Sequence, residues 1–88
     1  MAKKKSELRS WHLYIIQAQD GTLYTGITTD IDRRFEQHLS GKGAKYFRKS
    51  LPEKVIYCES GLTRGEALKR EATIKKMSRE QKKELIFS

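Results

Sequence analysis

Two short apolar segments separated by turn residues open the folded part of the chain. Trp11–Ala18 and Thr22–Ile27 are rich in Leu, Ile, Tyr and Thr, and Gln19-Asp20-Gly21 lies between them. Runs of this kind flanking Asp-Gly predict a β-hairpin. Apolar positions then recur at helical spacing. Ile31, Phe35 and Leu39 fall on one stripe at about 100° per residue. Thr29 or Asp30 opens this helix and Gly41, just past Ser40, stops it. Residues 41–52 are basic, with two glycines and the only proline, Pro52, and predict a loop. Val55–Cys58 is a third strand. Thr63-Arg64-Gly65-Glu66 has the form of a capping box for a second helix, to about Met77. Ser78, with Gln81 three residues on, caps a last short helix. The order β-β-α-β-α-α predicts an α+β domain, a small three-stranded antiparallel sheet flanked by about three helices.

The turn decides where the hairpin tyrosines point. A two-residue loop, Asp20-Gly21, would put Tyr14 and Tyr24 on opposite faces. A three-residue loop, with Gly21 in the left-handed position, pairs residue 18 with 22, 16 with 24 and 14 with 26. Both tyrosines then share a face, with backbones roughly 7–8 Å apart on the diagonal, and Gly26 leaves space beside the Tyr14 ring. The three-residue loop is the favoured reading. A single strand tyrosine is most simply a core residue with a satisfied hydroxyl; the pair says more than either alone.

Charge adds a direction. Nineteen Lys and Arg against eleven Asp and Glu give a formal charge of +8, and +5 of it remains on residues 11–88. The domain is therefore basic apart from its lysine-rich start, which is expected to be a loose tail over residues 1–10. A basic surface favours a polyanion such as nucleic acid, although solubility alone explains charge as readily. One cysteine, Cys58, excludes an internal disulfide, and its apolar run predicts a buried thiol. No segment approaches the ~20 apolar residues of a membrane span, and no signal peptide is evident. A cytoplasmic protein, taken as a monomer, is expected.

Several charged residues stand where helices should be apolar. Arg34 and His38, four residues apart, lie together on one flank of the first helix's apolar stripe, while Asp32, Arg33, Glu36 and Gln37 face away. On the second helix Ile74, Ala67, Leu68 and Ala72 bound an apolar arc that also takes in Glu71 and Lys75. A carboxylate there is costly unless it is paired or binds a cation. A Glu71–Lys75 pair at the core's edge and a cation-binding carboxylate are both open. Two histidines, without Cys-His spacing, exclude a zinc-type ligand set. A hard ion such as magnesium, which keeps most of its waters, needs few protein carboxylates.

Tyr14, then Tyr24-Thr25-Gly26 ten residues on, then Arg34 and His38 in the next helix and a lone Glu71 in a later one, resemble the GIY-YIG nucleases. His12-Leu13-Tyr14 stands where the family has Gly-Ile-Tyr, and Tyr24-Thr25-Gly26 where it has Tyr-Ile-Gly. Gly41-Lys42-Gly43-Ala44-Lys45-Tyr46 further resembles the small, stand-alone bacterial branch. The resemblance spans nearly all of residues 12–85. Three departures stand out: His12 replaces the first glycine, Ile27 stands where repair-type members carry a lysine, and the chain contains no Asn.

The resemblance implies hydrolysis of phosphodiester bonds in nucleic acid, with DNA favoured over RNA. It implies that Glu71 holds one Mg2+ or Mn2+ ion, that Arg34 holds the scissile phosphate, and that Tyr14 or Tyr24 orients or deprotonates water, with His38 available as a relay. A free tyrosine, with pKa about 10, is a poor base, and Arg34 and the metal would favour its phenolate. The rival reading is a non-catalytic DNA- or RNA-binding module. Lys42, Lys45, Arg48 and Lys49 interleave with Tyr46 and Phe47 and no acidic residue occurs from 41 to 50. Cations would track phosphates while the aromatics stack on unpaired bases. Glu71 discriminates, because a carboxylate harms phosphate binding unless a metal accompanies it.

Overall fold

A computed structural model describes residues 8–88. Residues 1–7 of the expected basic tail lie outside the described residues. The elements are β1 (Trp11–Ala18), β2 (Leu23–Thr28), α1 (Ile31–Leu39), a 3-10 turn (Lys45–Arg48), β3 (Pro52–Leu62), α2 (Arg64–Lys75) and α3 (Arg79–Phe87). The sheet is antiparallel throughout, in the order β2-β1-β3. The expected α+β class and β-β-α-β-α-α order are therefore observed.

β1 is central, and its apolar run, Leu13-Tyr14-Ile15-Ile16, is buried on both faces. Tyr14, Ile16 and Ala18 face α1 and the 3-10 turn, packing with Phe35, Ala44, Phe47 and Val55. Leu13 and Ile15 face the other way, against Ile74 of α2 and Leu85 and Ile86 of α3. Alternation along one strand thus builds two cores, one on each face.

The hairpin has the three-residue loop. Gly21 has φ +87°, the Ala18 N–H donates to the Thr22 carbonyl at 2.9 Å, and the Gly21 N–H donates to the Ala18 carbonyl at 2.9 Å. Asp20 fixes the turn by accepting from the Thr22 N–H at 3.0 Å and the Thr22 hydroxyl at 2.6 Å. The register is Ile16 with Tyr24 and Tyr14 with Gly26.

Helix caps follow the sequence. Asp30, not Thr29, caps α1, accepting from the Arg33 N–H. Thr63 with Glu66, and Ser78 with Gln81, form reciprocal capping boxes for α2 and α3.

Four expectations are corrected. The third strand is 11 residues, Pro52–Leu62, not Val55–Cys58. It lies at the sheet's edge, where Glu53, Lys54, Ser60 and Gly61 are exposed and carry no apolar signal. Cys58 is exposed for the same reason. The first helix is rotated from its expected setting: Leu39 is 39% exposed and His38 is buried, at 1%. On α2 the buried stripe is narrower than the expected arc. Ala67 and Ile74 are buried, whereas Leu68 and Ala72 are exposed.

Candidate functional site

The site is assembled on the face of the sheet that carries Tyr14. The Tyr14 and Tyr24 ring centroids are 6.3 Å apart. Tyr14 lies over Gly26: a Cβ there would stand 2.5 Å from the Tyr14 oxygen and 2.7 Å from its Cζ. No real side chain tolerates that approach, so glycine is required across from Tyr14. Gly26→Ala is expected to cost about 1–3 kcal/mol, the usual range for overpacking a filled site, as measured by urea unfolding. An alanine variant as stable as wild type would mean that the ring moves aside freely.

α1 supplies Arg34 and His38. His38 Nε2 lies 3.0 Å from the Tyr14 hydroxyl oxygen, and its Nδ1 accepts from the Ala44 N–H at 3.1 Å. That second contact depends on the chain path after α1. Gly41 takes φ +81°, and the Lys42 and Gly43 N–H groups both donate to the Gln37 carbonyl at 2.9 Å. The backbone then folds across His38 so closely that a Cβ on Gly43 would overlap the imidazole and stand 2.9 Å from the His38 Cα. Burial, with Arg34 nearby, holds the His38 pKa down to about 4. Arg34 is half-buried, donates to the neutral Gln37 side chain at 3.0 Å, and has no carboxylate partner among the described residues.

Burial also pushes the Tyr14 hydroxyl up, to about 12, with Tyr24 adding to the rise. Arg34 pulls the other way and is outweighed, and Glu71 adds a small further rise. The expectation that Arg34 favours the phenolate is right in sign, but desolvation is the larger effect in the protein itself.

α2 brings Glu71 to the edge of this face. It stands on the buried stripe between Ala67 and Ile74, its side chain 21% exposed, and meets Lys75 at 3.4 Å. Lys75 in turn lies 5.9 Å from the centroid of the Tyr24 ring. Both open readings of Glu71 thus find a basis: the pair exists, and the carboxylate borders the tyrosines. No group of three or more His, Cys, Asp and Glu side chains suited to a metal occurs among the described residues. A single carboxylate suits one hard ion that retains its waters and does not suit zinc.

The basic loop divides. Lys42, Lys45, Arg48 and Lys49 are exposed, as is Tyr46, at 39%. Phe47, expected beside Tyr46 as a stacking aromatic, is buried instead. Its ring centroid lies 4.6 Å from His38 and 5.0 Å from Tyr24, and it forms the floor of the site. The two rings meet edge-on, centroids 5.2 Å apart, with Phe47 inward and Tyr46 outward. Tyr46 packs against Tyr24 with its ring tilted, centroids 5.3 Å apart. The loop is tied to the hairpin tip by Asp20 N–H to Ser50 and Gln19 N–H to Leu51.

Sequence reasoning did not find Arg70. Its guanidinium holds the Glu59 carboxylate at 2.9 and 3.0 Å, and Tyr57 also donates to Glu59. Burial pushes the Glu59 carboxyl up, but these hydrogen bonds outweigh it and hold the pKa below the ordinary value. The trio pins α2, and with it Glu71, to β3. The only signal was the spacing 67, 70, 71, 74, which places Arg70 beside the buried stripe.

A family model described as the GIY-YIG catalytic domain matches residues 10–84. The chain belongs to the GIY-YIG family. Its relatives include a UPF0213 protein of Cupriavidus pinatubonensis, 49% identical over 74 residues, covering 84% of this chain and 82% of the relative. A UPF0213 protein of Yersinia enterocolitica is 48% identical over 79 residues, covering 89% and 80%. Among solved structures, the UPF0213 protein BH0048 of Bacillus halodurans matches with a TM-score of 0.56 at 41% identity, over 86% of this chain and 81% of that one. Protein EF2693 of E. faecalis matches with a TM-score of 0.59 at 39% identity, over 97% and 86%. The GIY-YIG family is one of nucleases, so nucleic-acid binding is implied in general terms. No helix among the described residues is long and apolar enough to cross a membrane.

Proposed function

We propose that this GIY-YIG protein is a metal-dependent endonuclease that hydrolyses phosphodiester bonds in nucleic acid, with DNA favoured over RNA. One observation carries the reading: two tyrosines share a face with an arginine lacking a carboxylate partner among the described residues, and a lone, partly buried carboxylate borders them. Arg34 suits a phosphate, because a guanidinium meets phosphate oxygens in a bidentate fork and, among the described residues, this one has no carboxylate to give up first. Tyr14 and Tyr24 orient the attacking water, Tyr14 being held by His38. Glu71 would hold one Mg2+ or Mn2+ ion, which supplies positive charge against the phosphorane and the leaving oxygen. Labelled branched, single-stranded and duplex substrates, incubated with manganese and with chelator, test the reading. Metal-dependent cleavage that Arg34→Ala removes is the expected result, and cleavage unaffected by that change would overturn it.

The alternative, a binding module without catalysis, draws on the exposed cations of the loop. They are expected to serve the nuclease too. Replacing Lys42, Lys45, Arg48 and Lys49 with alanine should flatten the salt dependence of binding by about 0.7–0.9 in log–log slope for each phosphate that the variant no longer neutralises. An unchanged slope, read from titrations at several salt concentrations, would mean that the loop is not the binding surface.

A further inference from the structure

A buried histidine between a tyrosine hydroxyl and a backbone amide has a definite proton position. The Ala44 N–H is a donor that cannot be reversed, and it points at Nδ1 of His38 from 3.1 Å. Nδ1 must therefore present its lone pair. The ring is neutral near pH 7, since burial and Arg34 both oppose its protonation. A neutral imidazole carries one proton, so that proton sits on Nε2. Nε2 lies 3.0 Å from the Tyr14 oxygen, and that oxygen accepts.

We propose that His38 is a positioning residue, a fixed hydrogen-bond donor to the Tyr14 oxygen whose tautomer is set by the Ala44 backbone, and not a relay for the proton of Tyr14. The inference deepens the proposed nuclease function and, for its catalytic consequence, rests on it. A relay requires a lone pair on the nitrogen facing Tyr14, and that nitrogen is already protonated. Arg34, the cation beside Tyr14, has no lone pair either. The Tyr14 O–H is thus left to donate to something that enters the cleft, a water or a substrate oxygen. Once that proton is lost, the His38 N–H and Arg34 both oppose the desolvation that disfavours the phenolate. Gly43 acquires a role as well. Only a residue without Cβ lets the backbone pass close enough to His38 for the Ala44 amide to reach Nδ1.

Nitrogen-15 NMR of the wild-type protein at pH 7 reads the tautomer directly, with no substrate and no variant. The expected spectrum shows Nδ1 of His38 in the unprotonated range and Nε2 in the protonated range. A ring protonated on Nδ1, or on both nitrogens, would overturn the proposal. Cleavage by variants gives the second readout. His38→Gln keeps an N–H donor but cannot carry a proton, whereas His38→Leu has neither property. The Gln variant should lie within about tenfold of wild type and the Leu variant should fall about a hundredfold or more, as for loss of one donor to a developing charge. Equal losses in the two would show that the ring must take up a proton. If wild type cuts no substrate, the nuclease reading fails while the NMR result still decides the tautomer.

Discussion

Replacing Glu71 by glutamine is expected to abolish metal-dependent cleavage while leaving the protein as stable as wild type, or more so. The two halves have different causes. Glu71 stands on the buried stripe of α2 between Ala67 and Ile74, with its side chain 21% exposed. A carboxylate in that position has lost much of its hydration, and an uncharged amide of the same size has less to lose. Its ion-pair partner among the described residues, Lys75, is 3.4 Å away and half exposed. An i,i+4 pair of that kind contributes no more than about 0.5 kcal/mol. Losing it is offset by removing a partly buried charge. Cleavage responds otherwise, because the change takes away the only protein carboxylate proposed for the metal. Several kcal/mol of lost charge stabilisation corresponds to about a thousandfold or more in rate. Binding of nucleic acid should persist, or tighten slightly for the loss of a negative charge. Melting temperature and cleavage are to be measured on the same two preparations. A variant that melts several degrees lower yet cuts like wild type would make Glu71 a structural residue and remove the proposed metal site.

The sequence made the hairpin half of the site legible and left the helical half partly hidden, for physical reasons. The spacing of Tyr14 and Tyr24 around Asp20-Gly21 is local, and a turn of known length fixes which side chains share a face. The capping boxes at Thr63 and Ser78 are local as well, and both form in the fold. Helical spacing puts His38 beside the core stripe, but its burial in preference to Leu39 depends on a loop that returns over the helix end. The Gly43–Ala44 backbone covers the imidazole and gives Nδ1 its partner, and no helical periodicity encodes a contact of that kind. Phe47 was hidden because a basic loop conceals a 3-10 turn that buries one of its residues and leaves its neighbours exposed. β3 exceeded its apolar signature because an edge strand hydrogen-bonds through its backbone whatever its side chains are. Gly26 and Gly43 are the clearest clues in the sequence, each standing where a ring needs room.

Acid should weaken the protein through His38 before most carboxylates matter. The His38 pKa falls from an ordinary 6.5 in the unfolded chain to about 4 in the fold. Burial is the larger cause and the Arg34 charge the second. The fold therefore prefers the neutral ring. Stability from this source is fully present above pH 6.5. It declines as pH falls, because the unfolded chain takes up a proton that the folded ring refuses, and it is exhausted once pH passes below 4. A difference of that size corresponds to about 3 kcal/mol across the window, at ~1.4 kcal/mol per pKa unit. The surroundings leave no route to relief. The Ala44 N–H points at Nδ1, Arg34 lies nearby, and the rings of Tyr14, Tyr24 and Phe47 enclose the rest. An imidazolium would set a second N–H against the Ala44 amide. The comparison protein is His38→Gln, which cannot titrate but shares every carboxylate and His12 with wild type. Urea unfolding at half-unit intervals from pH 7 to pH 4 should show wild type losing about 3 kcal/mol more than the variant, with the divergence beginning near pH 6.5. Parallel curves would mean that His38 is protonated in the folded protein without penalty, and that the enclosure around it opens in acid.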